Sequence, residues 1–177
     1  MQIFAHVFMK SGAFLVVAAA ASLGVGPLIE DWKGFGVRRP FLGTSFALML
    51  LSLAGVPLTI GFVSKFILFS SAIQAQGYFV YLAIAGLLNS ALSVFYYARV
   101  LKVMYMDQAE PRPVGTPQLT GVHGASGPDP VPLGGIGYGR AMAIGLATVA
   151  IVALGIYPQP VLAAISSAVQ HFVAVGA

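Results

Sequence analysis

Between residues 41 and 98 the chain runs for 58 consecutive positions with a single charged side chain, Lys65. A soluble domain does not leave so long a stretch without charges, because its loops and outer faces must meet water. The composition agrees. Of 177 residues, 58% are hydrophobic and 8% are charged, where an ordinary soluble domain has roughly 25% charged residues. The mean hydropathy is +0.90. The sequence therefore predicts an all-α integral membrane protein.

A helix rises about 1.5 Å per residue, so about 20 apolar residues cross a ~30 Å hydrocarbon core. On that measure four crossings are expected, at residues 2–23, 41–76, 78–105 and 140–157. The second contains LAGVPLTIG, in which Pro57 lacks an amide donor and Gly55 and Gly61 are poor helix formers. It reads as two half-helices, 41–54 and 61–76, with the helix broken over 55–61. Two separate spans are the alternative, but 14 residues make only about 21 Å of helix. Gly86, Ser90 and Ser93 give the third crossing a small-residue stripe suited to helix–helix contact. After the break at YPQP, residues 160–174 suit a short helix at the membrane interface. Three regions result: a transmembrane region at 1–106, a Pro/Gly-rich loop at 107–138, and a last span with a C-terminal segment at 139–177.

The basic residues give an orientation. Four crossings put loops 24–40 and 99–140 on one side, and these hold seven of the nine Lys and Arg residues. The positive-inside rule makes that side cytoplasmic and puts the C-terminus opposite. The two basic residues left over, Lys10 and Lys65, fall inside spans.

An ammonium group deep in a bilayer costs from ~3 to more than 10 kcal/mol, depending on how it is measured. Such a residue normally faces protein or a wet cavity. A lysine that can lose and regain its proton serves as a relay group. His6 precedes Lys10 by four residues, which stacks the two on one helix face, and His and Lys together suit proton transfer. Bland readings stand beside these. Lys65 lies about four residues into its half-helix, where snorkelling or a capping contact would also account for it. His6 alone would pass as a structural histidine. The break at 55–61 is open to reading as a proline kink, although non-helical backbone at membrane depth recurs at ion sites in transporters.

Other chemistry is excluded or weak. The absence of cysteine removes disulfides, iron–sulfur clusters and thiolate metal sites. His6, His123 and His171 are too far apart to suggest a local metal site. GGIGYG at 134–139 follows no strand, so it is a poor dinucleotide motif. Residues 1–21 resemble a secretory signal, but the nine residues before Lys10 are mostly apolar where a signal is polar and basic. The spread of basic residues gives no nucleic-acid face.

Three stretches carry a family resemblance: HVFMKSGAFLVVAA, LSLAGVPLTIGFVSKFILF and LLNSALSVFYYARVLKVMYM. Together they resemble the antiporter-like membrane subunits of respiratory complex I, and the N-type subunit of NADH:quinone oxidoreductase in particular. The resemblance covers residues 2–106. It implies a fold of about fourteen helices with two inverted repeats, of which this chain holds the C-terminal part. The N-terminal half-channel, with its lysine and glutamate, would be absent. Met1 abuts a span directly, so a fragment, a split gene or a truncated reading frame is expected. By the resemblance, Lys65 corresponds to the lysine of a half-channel that follows a broken helix. His6 and Lys10 correspond to groups on the hydrophilic axis within the membrane. The family role is a proton-translocating subunit of an enzyme complex in the plasma membrane, with no cofactor on this chain. Quinone, FMN and iron–sulfur clusters would belong to partner subunits, and the membrane neighbours would be of M, K and J type. NADH is the default donor, with deazaflavin-linked and ferredoxin-linked relatives as alternatives. Two rivals remain: a subunit of a multisubunit cation/proton antiporter or membrane-bound hydrogenase, and a non-catalytic membrane piece that only packs against partners.

Overall fold

A computed structural model describes residues 1–107 and 136–175, with side chains through residue 170. The expected Pro/Gly-rich loop lies outside the described residues except at its two ends. Everything regular among the described residues is helical. The helices are α1 (Gln2–Ser22), α2 (Phe35–Arg38), α3 (Pro40–Ala54), α4 (Ile60–Gln74), α5 (Tyr78–Tyr105), α6 (Tyr138–Ile156) and α7 (Gln159–Val175), with one 3-10 turn at Ile29–Trp32.

Three of them, α1, α5 and α6, are long and apolar enough to cross a membrane. The expected count was four crossings. The difference lies in α3 and α4, which have 15 residues each and so reach only about 22 Å apiece.

Helix α1 sits at the centre of the packing, against α3, α4 and α6. Its buried residues Ala5, Met9, Gly12, Val16 and Ala19 recur every three or four positions and form one stripe. Small side chains on that stripe let backbones approach. A Cβ on Gly12 would lie 2.5 Å from Met49 Cε of α3 and 3.2 Å from Ala147 Cβ of α6. Helix α6 makes a second close approach at its far end. A Cβ on Gly155 would lie 2.5 Å from the Leu58 carbonyl oxygen, in the connection between α3 and α4.

The stretch 24–40, expected as a charged, Gly/Pro-containing loop, is anchored by the buried Trp32, Phe35 and Gly36. Trp32 is buried, stacks on Phe46 of α3 with ring centroids 5.1 Å apart, and meets Phe35 edge-on at 4.9 Å. The Gly34 amide donates to the Val103 carbonyl at 3.3 Å, tying this segment to the end of α5. Most of α5 is exposed, with Ala83, Ser93 and Met104 as its buried residues. Its small-residue stripe faces α4, since a Cβ on Gly86 would lie 2.7 Å from the Phe69 ring.

Candidate functional site

The site begins with the way α3 ends. Gly55 takes a left-handed conformation at φ +92°, which a residue with a Cβ adopts only with strain. The turn returns two amides to the helix: Val56 N–H to Leu51 O and Gly55 N–H to Ser52 O, both at 3.0 Å. This is a Schellman closure, and it leaves the last two carbonyls of the helix without backbone partners. Those carbonyls, Leu53 O and Ala54 O, accept from Lys65 Nζ at 2.8 and 3.0 Å. The third ammonium hydrogen goes to Ser90 Oγ of α5 at 2.6 Å. All three donors of the ammonium are therefore used, and its positive charge lies at the negative end of the α3 dipole. The capping contact left open by the sequence is present.

The start of α4 is held by α3 as well. The Gly61 amide donates to Ser52 Oγ at 3.2 Å, and the Ser52 hydroxyl donates to Met9 Sδ of α1 at 2.9 Å. Thr59 Oγ1 donates to Val56 O at 2.7 Å and Ser64 Oγ to Gly61 O at 3.1 Å. Short hydroxyl side chains thus satisfy backbone groups that the interruption frees, as apolar surroundings require. Pro57 lies in the connection itself, where its missing amide does no harm.

Lys65 opens onto a cleft of about 360 Å³ between α1, α4 and α5. Helix α1 contributes Gln2, His6 and Lys10 to its wall, at four-residue spacing. Helix α5 contributes Asn89, Ser90, Ser93, Tyr96 and Tyr97, and Leu68 and Phe69 of α4 supply apolar wall. The three residues picked from sequence, His6, Lys10 and Lys65, thus line one polar cleft although they come from two helices. The His6 ring nitrogen Nδ1 lies 3.0 Å from Gln2 O. A carbonyl can only accept, so Nδ1 carries the hydrogen and Nε2 is the position left to bind a proton. Lys10 is exposed along this face of the described residues and not enclosed, and His6 is half-buried. No Asp or Glu lies between Asp31 and Asp107, so helix carbonyls and a hydroxyl meet the Lys65 charge.

Sequence reasoning missed the α5 side of the cleft. Ser90 and Ser93 were read as packing residues, but Ser90 is a direct partner of Lys65. Asn89, Tyr96 and Tyr97 mark the N-type resemblance in the sequence but do not stand out there as site residues. A signal for them existed: polar side chains at 89, 90, 93, 96 and 97 in a lipid-crossing helix share one flank at three- and four-residue spacing.

The sequence profile of the NADH:quinone oxidoreductase/Mrp antiporter transmembrane family matches residues 1–93. The F(420)H(2) dehydrogenase subunit N of Methanosarcina mazei is 41% identical over 119 residues, covering 62% of this chain and 24% of the relative. The NADH-quinone oxidoreductase subunit N 2 of Sorangium cellulosum is 43% identical over 114 residues, 62% of this chain and 22% of the relative. The NADH-quinone oxidoreductase subunit N of Desulforamulus reducens is 34% identical over 169 residues, 96% of this chain and 31% of the relative. The chain thus spans between 22 and 31% of the length of these relatives.

Proposed function

This chain belongs to the NADH:quinone oxidoreductase/Mrp antiporter transmembrane family, and from that premise we propose that it supplies a lysine-based proton relay to a complex I-type NADH:quinone oxidoreductase. In this reading the chain corresponds to the C-terminal part of an N-type subunit. Helices α3 and α4 together make one crossing, broken over 55–61. With α1, α5 and α6 that gives four crossings, with the basic loops cytoplasmic and the protein in the plasma membrane. The remaining helices, the quinone, the flavin and the iron–sulfur clusters lie elsewhere in the complex, with membrane neighbours of M, K and J type.

One observation carries the reading: Lys65, His6 and Lys10 line the same polar cleft, next to backbone that is not helical. Lys65 holds a proton against α3 and releases it into the cleft. His6, with Nε2 as its base, and Lys10 pass it along the α1 face. The protein supplies positions and hydrogen bonds, and the driving force comes from redox chemistry in other subunits.

The test is proton pumping by the assembled complex in sealed vesicles, with quinone reduction measured alongside. Lys65→Ala and Lys10→Ala should each lower the protons moved per electron pair. Lys65→Arg should not fully restore them, because arginine does not deprotonate in proteins. Wild-type pumping by Lys65→Ala would end the relay reading.

A second reading has an observation of its own. The three hydrogen bonds from Lys65 cap α3, and a capping lysine suits a piece that only packs. Under that reading Lys65→Ala weakens assembly and leaves pumping per assembled complex intact. A cation/proton antiporter or membrane-bound hydrogenase subunit would use the same cleft and differ in its partners, which co-purification distinguishes.

A further inference from the structure

The α5 hydroxyl at 2.6 Å from Lys65 Nζ has a role of its own, and we infer that Ser90 is the group through which the Lys65 proton enters and leaves the cleft. The inference rests on the relay reading above. Two of the three ammonium hydrogens point at Leu53 O and Ala54 O. A carbonyl inside a peptide accepts a hydrogen bond but does not take up a proton under ordinary conditions, so those two directions are closed. The third points at an oxygen that can both accept and donate. Ser90 Oγ also lines the cleft shared with His6 and Lys10, so the hydroxyl touches the amine on one side and the cleft on the other.

The step balances without any further reactant than water in the cleft. The Nζ–H bond facing Ser90 breaks as its hydrogen bonds to Oγ. The original Oγ–H bond breaks and that proton passes to a cleft water. Lysine is left neutral, with its nitrogen lone pair accepting from the new Ser90 hydroxyl hydrogen. The hydroxyl must first turn away from Ala54 O, which it meets at 3.3 Å, the longest contact of the cluster and the easiest to give up. Ala54 O keeps its bond from Nζ throughout. The neutral amine has two hydrogens left for the two carbonyls, so every group stays paired in both states. That is what a part-buried relay needs, because an unpaired polar group would penalise one state against the other.

The other groups facing Lys65 do not offer the same route. Gln2, His6 and Lys10 of α1 and Asn89, Ser93, Tyr96 and Tyr97 of α5 line the cleft, but among the described residues Ser90 is the side chain bonded to Nζ. Helix α3 offers carbonyls and the Leu53 side chain, and α4 offers Leu68 and Phe69.

The experiment compares Ser90→Thr with Ser90→Val in the assembled complex, by protons pumped per electron pair at matched quinone reduction. The two side chains have nearly the same shape, and one has a hydroxyl. Ser90→Thr should pump close to wild type, and Ser90→Val should lose most of its pumping, since a positioned proton-transfer group is worth roughly 10²–10⁴-fold in rate. Equal pumping by the two variants, at whatever level, overturns the inference. Lys65→Ala run in parallel separates the two claims. Loss of pumping there, with equal Thr and Val variants, removes Ser90 and leaves the relay. Full pumping there removes both.

Discussion

The Gly61 amide donates to Ser52 Oγ at 3.2 Å, so the first turn of α4 rests on the last turns of α3. The approach is close enough that a Cβ at 61 would overlap the Ser52 carbonyl oxygen. The connection between these helices is therefore a built joint, in which hydroxyls, carbonyls and one ammonium replace the hydrogen bonds that a continuous helix would have made.

Gly61→Ala should be severe. The atom it would strike is backbone and cannot rotate aside, so α4 must move off α3. Overpacking of this kind costs typically 1–3 kcal/mol and occasionally more. Gly12→Ala is the control: its Cβ would meet chiefly the end of Met49, a flexible side chain that can yield. Membrane-inserted, assembled protein should fall sharply for Gly61→Ala and only modestly for Gly12→Ala. Equal losses would mean that the close approach at 61 is not a constraint.

Ser52→Ala should weaken the same joint by another route. Ser52 is fully buried at 0% exposure, so solvent does not reach its hydroxyl. The Gly61 amide would lose its side-chain acceptor, at about 1–3 kcal/mol. Ser52→Cys keeps a weak acceptor of similar size and should fall between. Thermal unfolding in detergent would give the order, and Ala as stable as wild type would contradict it.

Two left-handed positions lie within the joint and should respond differently. Gly55 has φ +92°, and its Cβ would come 3.1 Å from Lys65 Cδ, so Gly55→Ala should destabilise by about 1–2 kcal/mol. Leu58 has φ +70° and is 70% exposed. Glycine there relieves a strain of about 1–2 kcal/mol against an entropic loss of about 0.5–1 kcal/mol, so Leu58→Gly should be neutral to slightly stabilising. Melting temperatures of the two variants check the signs.

How far the sequence revealed this site depends on the range of the interaction. Lys65 stands out because a lone charge in 58 positions is visible without a structure. The interruption is visible because Gly55, Pro57 and Gly61 act on their own backbone. His6 and Lys10 share a face by spacing alone. Ser90 was legible only as a small residue, since its partner lies 25 positions away on another helix and period does not name partners. Trp32 was hidden among charged neighbours in what read as a loop, though its burial against Phe46 depends on how that segment folds back. In helices this uniformly apolar, the buried face differs from the lipid face by size rather than polarity, and hydropathy therefore says little about packing.

Lys65 combines two duties that substitution can separate. As a cap it serves Leu53 O and Ala54 O, and any cationic donor of sufficient reach can do that at a helix C-terminus. As a relay it must give its proton up. Lys65→Met keeps the stem and removes the cap, leaving two helix-end carbonyls to find cleft water, and should lower stability by about 1–3 kcal/mol. Lys65→Arg offers five donors on a longer arm into a cleft of about 360 Å³ and should recover most of that stability while pumping stays lowered. Stability and pumping measured on the same preparations would then move apart. If arginine restored neither, the cap requires an ammonium of this length. If it restored both, the proton does not pass through residue 65.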